Sequence, residues 1–88
     1  MSINLNIDRS VFDHTKGDCV IVTSGETIAE NLNDGIEQKP ELESVVFDES
    51  HELCSGVLVK VNGRFIQSDQ LSTQVKDGDT IEILKYDG

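Results

Sequence analysis

Residues 56–84 read GVLVKVNGRFIQSDQLSTQVKDGDTIEIL, and this stretch decides the fold. Val57, Val59 and Val61 alternate with Leu58 and Lys60, the two-residue period of a strand with one buried face. Asn62-Gly63 follows, a pair that accepts positive φ and closes a tight hairpin. Phe65 and Ile66 begin the return strand. Leu71 and Val75 are spaced to reach back to a core. Asp77-Gly78 marks another turn, after which Ile81 and Ile83 alternate with Glu82 and Leu84 in a last strand.

Working outward, Asp48 to Glu52 reads as an exposed acidic loop. Leu42, Val45, Val46 and Phe47 read as an ill-defined second turn or a short strand. Upstream, Thr27 and Glu30 have the spacing of a capping box, with Thr27 as N-cap and Glu30 three residues on. Ile28, Leu32 and Ile36, with Ala29 beside them, form the apolar stripe of a short amphipathic helix. Gly35 weakens that helix, and Pro40 stops it near Gln38 or Lys39. Further upstream, Ile3, Leu5 and Ile7 alternate with Asn4 and Asn6. A polar stretch through Asp13 to Gly17 turns the chain into Cys19-Val20-Ile21-Val22, a second strand. The element order is therefore strand, strand, helix, strand, short strand, strand. A hairpin, a crossing helix and a second strand pair make an α+β β-grasp arrangement, a mixed sheet packed on one main helix, with a right-handed crossover expected.

The chain has 88 residues, room for one domain, which we place at 1–84 with a flexible tail at 85–88. Seventeen acidic residues face seven basic ones, for a formal net charge of -10. That charge opposes phosphate backbones, so nucleic acid is an unsuitable partner. No apolar run approaches the roughly 20 residues of a membrane span, and MSINLNIDRS lacks the basic start and apolar run of a signal peptide. A cytoplasmic location with reduced thiols is the expectation. Cys19 and Cys54 are two thiols only, too few for a four-thiolate site. Cys54 has His51, Asp48, Glu49 and Glu52 nearby without a complete ligand set, so no metal is expected. Cys19 reads as a core thiol and Asp13-His14 as an isolated turn pair. No catalytic triad, P-loop or dinucleotide motif is present, which points away from an independent enzyme.

The stretch from Gly56 to Leu84 resembles the ubiquitin-like sulfur carriers, the MoaD/ThiS family. Members show an apolar strand running into Val-Asn-Gly, a variable segment, and Asp-Gly-Asp before a further apolar strand. Here these are Val61-Asn62-Gly63 and Asp77-Gly78-Asp79, followed by Ile81, Ile83 and Leu84. The capped helix from Thr27 lies where the family places its helix, and the resemblance covers nearly the whole chain. The segment between Pro40 and Cys54, mostly missing from the shorter thiamine carriers, leans the chain toward the molybdopterin synthase small subunit (MoaD-like).

The resemblance implies a carrier and not an enzyme. An adenylating activating enzyme (MoeB/ThiF-like) uses ATP on the C-terminal glycine carboxylate. A sulfur donor converts the adenylate to a thiocarboxylate, and the sulfur is delivered inside the molybdopterin synthase large subunit (MoaE-like) for molybdenum or tungsten cofactor biosynthesis. No cofactor is held permanently. Gly88 matches the reactive position, and glycine, lacking Cβ, suits a tail that threads a narrow channel. The family ends Gly-Gly, with a slightly longer tail. Here Lys85, Tyr86, Asp87 and Gly88 follow Leu84 and reach at most ~14 Å. Asp87 would bring a carboxylate toward ATP phosphates; two like charges ~5 Å apart cost roughly 3 kcal/mol at an effective dielectric near 20.

By alternation Leu58 and Leu84 point away from the core-facing residues of their strands. If the strands are neighbours, the leucines form an apolar patch rimmed by Lys60, Glu82 and Lys85, a candidate partner site. A loop covering either leucine is the alternative. Arg64, after the hairpin turn, is placed to touch a partner carboxylate or to stand solvated. Two further readings stay open for the chain. One is a β-grasp adapter or regulatory module that has lost carrier chemistry, favoured by the Asp87-Gly88 ending. The other is a carrier for thiamine or another sulfur pathway.

Overall fold

The computed structural model describes residues 2–8, 11, 19–50, 52–54 and 56–85. Five strands form one mixed sheet: β1 (Ile3–Ile7), β2 (Cys19–Thr23), β3 (Val57–Val61), β4 (Arg64–Ile66) and β5 (Thr80–Lys85), in the order β2-β1-β5-β3-β4. β1 pairs antiparallel with β2 and parallel with β5; β3 pairs antiparallel with both β5 and β4. The last strand thus occupies the centre of the sheet. This is the predicted β-grasp.

Alternation sets the buried face. Ile3, Leu5 and Ile7 of β1, Val57 and Val59 of β3, and Ile81 and Ile83 of β5 are all buried. Helix α1 (Ile28–Gln38) covers them with Ile28 and Leu32, and Val75 joins the same cluster. Each such side chain contributes about 1.5–3 kcal/mol when fully removed from water. Val11 is buried in this core as well, whereas the expected turn at Asp13 to Gly17 lies outside the described residues.

The helix begins at Thr27, the predicted N-cap, although Glu30 returns to the Thr27 hydroxyl where a capping box would use the Thr27 N–H. The Thr27 hydroxyl accepts from the Glu30 N–H at 3.2 Å, and the Glu30 carboxylate in turn accepts from that hydroxyl. At the other end the Lys39 N–H closes on the Gly35 carbonyl at 2.8 Å and Pro40 follows. The Gln38 side chain donates to the Val22 carbonyl at 2.8 Å, tying the helix end to strand β2.

Two expectations need correction. Gly35 is not simply a weak point of the helix. A Cβ there would overlap the Leu5 Cδ2 methyl, so the missing side chain is what lets α1 lie close on the sheet. The stretch after Pro40 is helical rather than extended or ill-defined. A 3₁₀ turn over Pro40–Leu42 runs into a short helix, α2 (Glu43–Val46). Leu42 and Val46, four apart, are both buried, and this helical spacing prevails over the strand preference of Val45-Val46-Phe47.

The acidic loop is exposed at Asp48, Glu49, Ser50 and Glu52, as expected, but it is closed. The Asp48 Oδ1 accepts from the N–H groups of Ser50 and Glu52 at 2.8 and 3.1 Å, and Phe47 bridges to Leu53. Among the described residues no helix is long and apolar enough to cross a membrane.

Candidate functional site on the outer face of the sheet

The face of the sheet turned away from α1 is built by register. Leu58 of β3 stands directly opposite Leu84 of β5, and Lys60 opposite Glu82. All four are half-buried. The two strands are neighbours, so the leucines form the expected apolar pair, flanked by Lys60 and Glu82.

Lys85 is the last residue of β5 and pairs with Val57, whose side chain is in the core. Alternation therefore puts Lys85 on the other side of the strand from Leu84. Of the three expected rim residues, Lys60 and Glu82 flank the leucines and Lys85 does not. It also belongs to the strand by its pairing, one residue beyond the expected end of the sheet. Arg64 is exposed at the hairpin and pairs with Val61, again across from the leucine face. Tyr86, Asp87 and Gly88 lie outside the described residues.

Phe65 belongs to this face and was missed as a surface residue. It pairs with Lys60, is 61% exposed, and carries the Lys60 Nζ 4.7 Å from its ring centroid, a cation–π distance. The signal was available: alternation in β3 and the two-residue Asn62-Gly63 loop together place Phe65 beside Lys60. Toward the opposite edge, Val20 and Val22 of β2 are each 58% exposed.

The turns at the end of the sheet hold one another. Asn62 and Gly63 have φ of 52° and 85°, the pair of positive values a type I′ turn requires. Asn62 reaches across to the Asp77-Gly78 turn, donating to Asp79 Oδ1 at 3.1 Å while its Oδ1 accepts from the Thr80 N–H at 3.0 Å. Asp79 Oδ2 accepts from the Lys76 N–H at 2.8 Å. That backbone bond first, and the Asn62 bond second, hold the Asp79 carboxyl below its ordinary value.

Of the features set aside in the sequence, Cys54 and the acidic residues around it fall among the described residues. The half-buried Cys54 thiol donates to the Ser44 carbonyl at 3.8 Å, and no three His, Cys, Asp or Glu side chains among the described residues are grouped to hold a metal ion. His51, Asp13 and His14 lie outside the described residues, and Cys19 is in β2 as expected.

The ThiS family model matches residues 12–86, which is most of the chain. The chain belongs to the ThiS family. This is the MoaD/ThiS group of ubiquitin-like sulfur carriers, proteins that act as carriers rather than as catalysts. No curated protein matches the chain in sequence. Among solved structures it is similar to a chain of the Amycolatopsis orientalis BexX/CysO complex, at 25% identity and a TM-score of 0.76, covering 96% of this chain and 97% of that one. Small archaeal modifier protein 1 from Methanosarcina acetivorans is also 25% identical, with a TM-score of 0.71 and coverage of 100% and 97%. The same-named protein from Haloferax volcanii, at 21% identity, shares the fold with a TM-score of 0.79 over 100% and 99% of the two chains.

Proposed function

We propose that this ThiS-family chain carries sulfur as a thiocarboxylate on Gly88. In the first step the Gly88 carboxylate oxygen bonds to the α-phosphorus of ATP on an activating enzyme of the MoeB/ThiF kind, and pyrophosphate leaves. A hydrosulfide equivalent from a sulfur donor then bonds to the carbonyl carbon and AMP leaves. The thiocarboxylate is delivered to a MoaE-like large subunit for molybdopterin assembly. The observation that carries this reading is the Leu58–Leu84 pair. It presents apolar surface one residue before the end of β5, where a docked partner would receive the chain's last residues. An acidic protein of net charge -10 suits basic grooves on the larger partners and is steered into them.

The test is intact-protein mass spectrometry after incubation with an activating enzyme, ATP and sulfide. The expected result is a gain matching replacement of one oxygen by sulfur, mapped to Gly88 and lost when Gly88 is deleted. No gain, while a Gly-Gly-ended carrier loads under the same conditions, would sink the proposal and favour the adapter reading. A second reading has support in the similarity to small archaeal modifier protein 1. In that case a lysine amine of another protein bonds to the carbonyl carbon of the Gly88 adenylate, AMP and the amine proton leave, and the experiment repeated with an acceptor protein in place of sulfide would return an amide-linked adduct.

A further inference from the structure

On the helical side of the molecule, across the sheet from Leu58 and Leu84, lies a shallow cleft of about 550 Å³. Half-buried Phe47 and Cys54 form its apolar floor, with exposed Pro40, Glu43, Ser44, Asp48 and Glu49 around them. A second hollow of about 410 Å³ adjoins it, sharing Glu43 and Phe47 and adding Ile36 and Glu37. The two make one groove with half-buried Phe47 at its middle and Ile36 at one end. Among the described residues, no lysine or arginine lines either part.

The groove is built and not incidental. Phe47 is fixed from both sides, by its bridge to Leu53 and by the buried Val46 before it. The Asp48 carboxylate is held by two backbone N–H groups, and the Cys54 N–H donates to the Val46 carbonyl at 2.9 Å. An apolar floor inside a ring of carboxylates selects its occupant by charge. An acidic or neutral segment would leave the rim unpaired, whereas a basic one offers apolar anchors to Phe47 and cations to Glu37, Glu43 and Glu49.

We infer that this groove is a second docking surface, for a short basic and apolar peptide segment of a partner protein. It faces away from the Leu58–Leu84 pair, so both surfaces can be occupied at once. The inference does not rest on sulfur chemistry. Its small area makes the contact transient and its exposed rim makes it sensitive to salt.

The test uses the full chain, labelled for amide NMR, and a short acetylated peptide of alternating lysine and leucine. At low salt the largest shifts are expected at Ile36, Phe47, Glu49 and Cys54, with an affinity that falls as salt rises. Replacing Glu43 and Glu49 together by glutamine is expected to weaken binding by about fivefold. At about 0.1 M salt, where the Debye length is about 10 Å, a pair of equal charge change elsewhere, E26Q with D69N, is expected to stay within about twofold. Both pairs are exposed, and amide dispersion reports whether each variant is folded. No binding at low salt, shifts centred on Leu58 and Leu84, shifts spread over the whole surface, or equal weakening by the two pairs would each overturn the inference.

Discussion

Leu58 and Leu84 face one another across β3 and β5, half-buried, on the side of the sheet turned away from α1. Their register fixes them as a unit, since a one-residue slip of either strand would turn that strand's leucine into the core and break the pair. If this pair docks the activating enzyme, Leu58→Ser and Leu84→Ser should raise the KM for loading by roughly tenfold or more, the scale of a buried interface anchor. Val22→Ser, at the far edge of the sheet, should leave loading unchanged. Steady-state loading kinetics decide the matter: an unchanged KM for both leucine variants would remove this face from the mechanism.

Gly35 and Leu5 touch so closely that a single added methyl has no room. Gly35→Ala gains up to about 1 kcal/mol of helix propensity. It loses about 1–3 kcal/mol through displacement of the buried Leu5 side chain. A net destabilisation of about 1 kcal/mol is expected in urea unfolding. Leu5→Ala alone should cost about 2–5 kcal/mol. The double variant should be more stable than the sum of the two predicts, because the alanine methyl enters the space Leu5 vacates. Simple additivity would show that the contact does not decide the fit.

Thr23 and Asn31 form a polar pair inside the core. The Thr23 hydroxyl donates to Asn31 Oδ1 at 2.7 Å, and Asn31 Nδ2 donates to the carbonyls of Thr27 and Gly25 at 2.7 and 3.2 Å. Both residues are buried, so each unmet partner loses its hydration as well as its bond. Asn31→Leu should destabilise by about 2–4 kcal/mol and Thr23→Val by about 1–2 kcal/mol. Their combination should fall short of the sum, since the pair shares one bond. Thermal and urea unfolding measure all three, and a neutral Asn31→Leu would contradict the assignment.

The strands, the hairpin at Asn62-Gly63 and the start of α1 were legible because each is written locally, as an alternation, a turn dipeptide or a cap. The Leu58–Leu84 pair was legible for the same reason, once β3 and β5 were taken as neighbours. Gly35 and Asn31 were not. Their roles depend on what lies opposite them, Leu5 in one case and Thr23 in the other, and no spacing within the helix encodes those neighbours. Helix α2 was hidden by a conflict of signals, in which the burial of Leu42 and Val46 prevails over β-branched residues. Lys85 is adjacent to Leu84 in sequence, but alternation turns it to the other side of the strand, and that alternation outweighs proximity. Phe65 went unnoticed because it was read for its strand and not for the partner its register gives it.

The Asp79 carboxylate supplies a prediction whose sign can be worked out in advance. Its Oδ2 takes the Lys76 N–H and its Oδ1 takes Asn62 Nδ2, and both bonds favour the charged form, so the folded pKa lies below the ordinary one. In the unfolded chain those partners are gone and the carboxyl titrates near its ordinary value of about 3.9. The stabilising contribution is therefore complete above that value. It is lost as pH falls from there through the depressed folded pKa. Asp79→Asn removes the charge and cannot accept at both positions, so it should be less stable than the parent near neutral pH. The gap between the two should narrow on acidification, and only below the ordinary carboxylate pKa. Other carboxylates in this acidic chain also titrate in that range, but they are common to both proteins and cancel in the difference. Urea unfolding of parent and variant near neutral pH, at about pH 5 and at about pH 3 isolates the effect. A gap that stayed constant from neutral to acid would mean that the Asp79 charge contributes nothing to holding the two turns together.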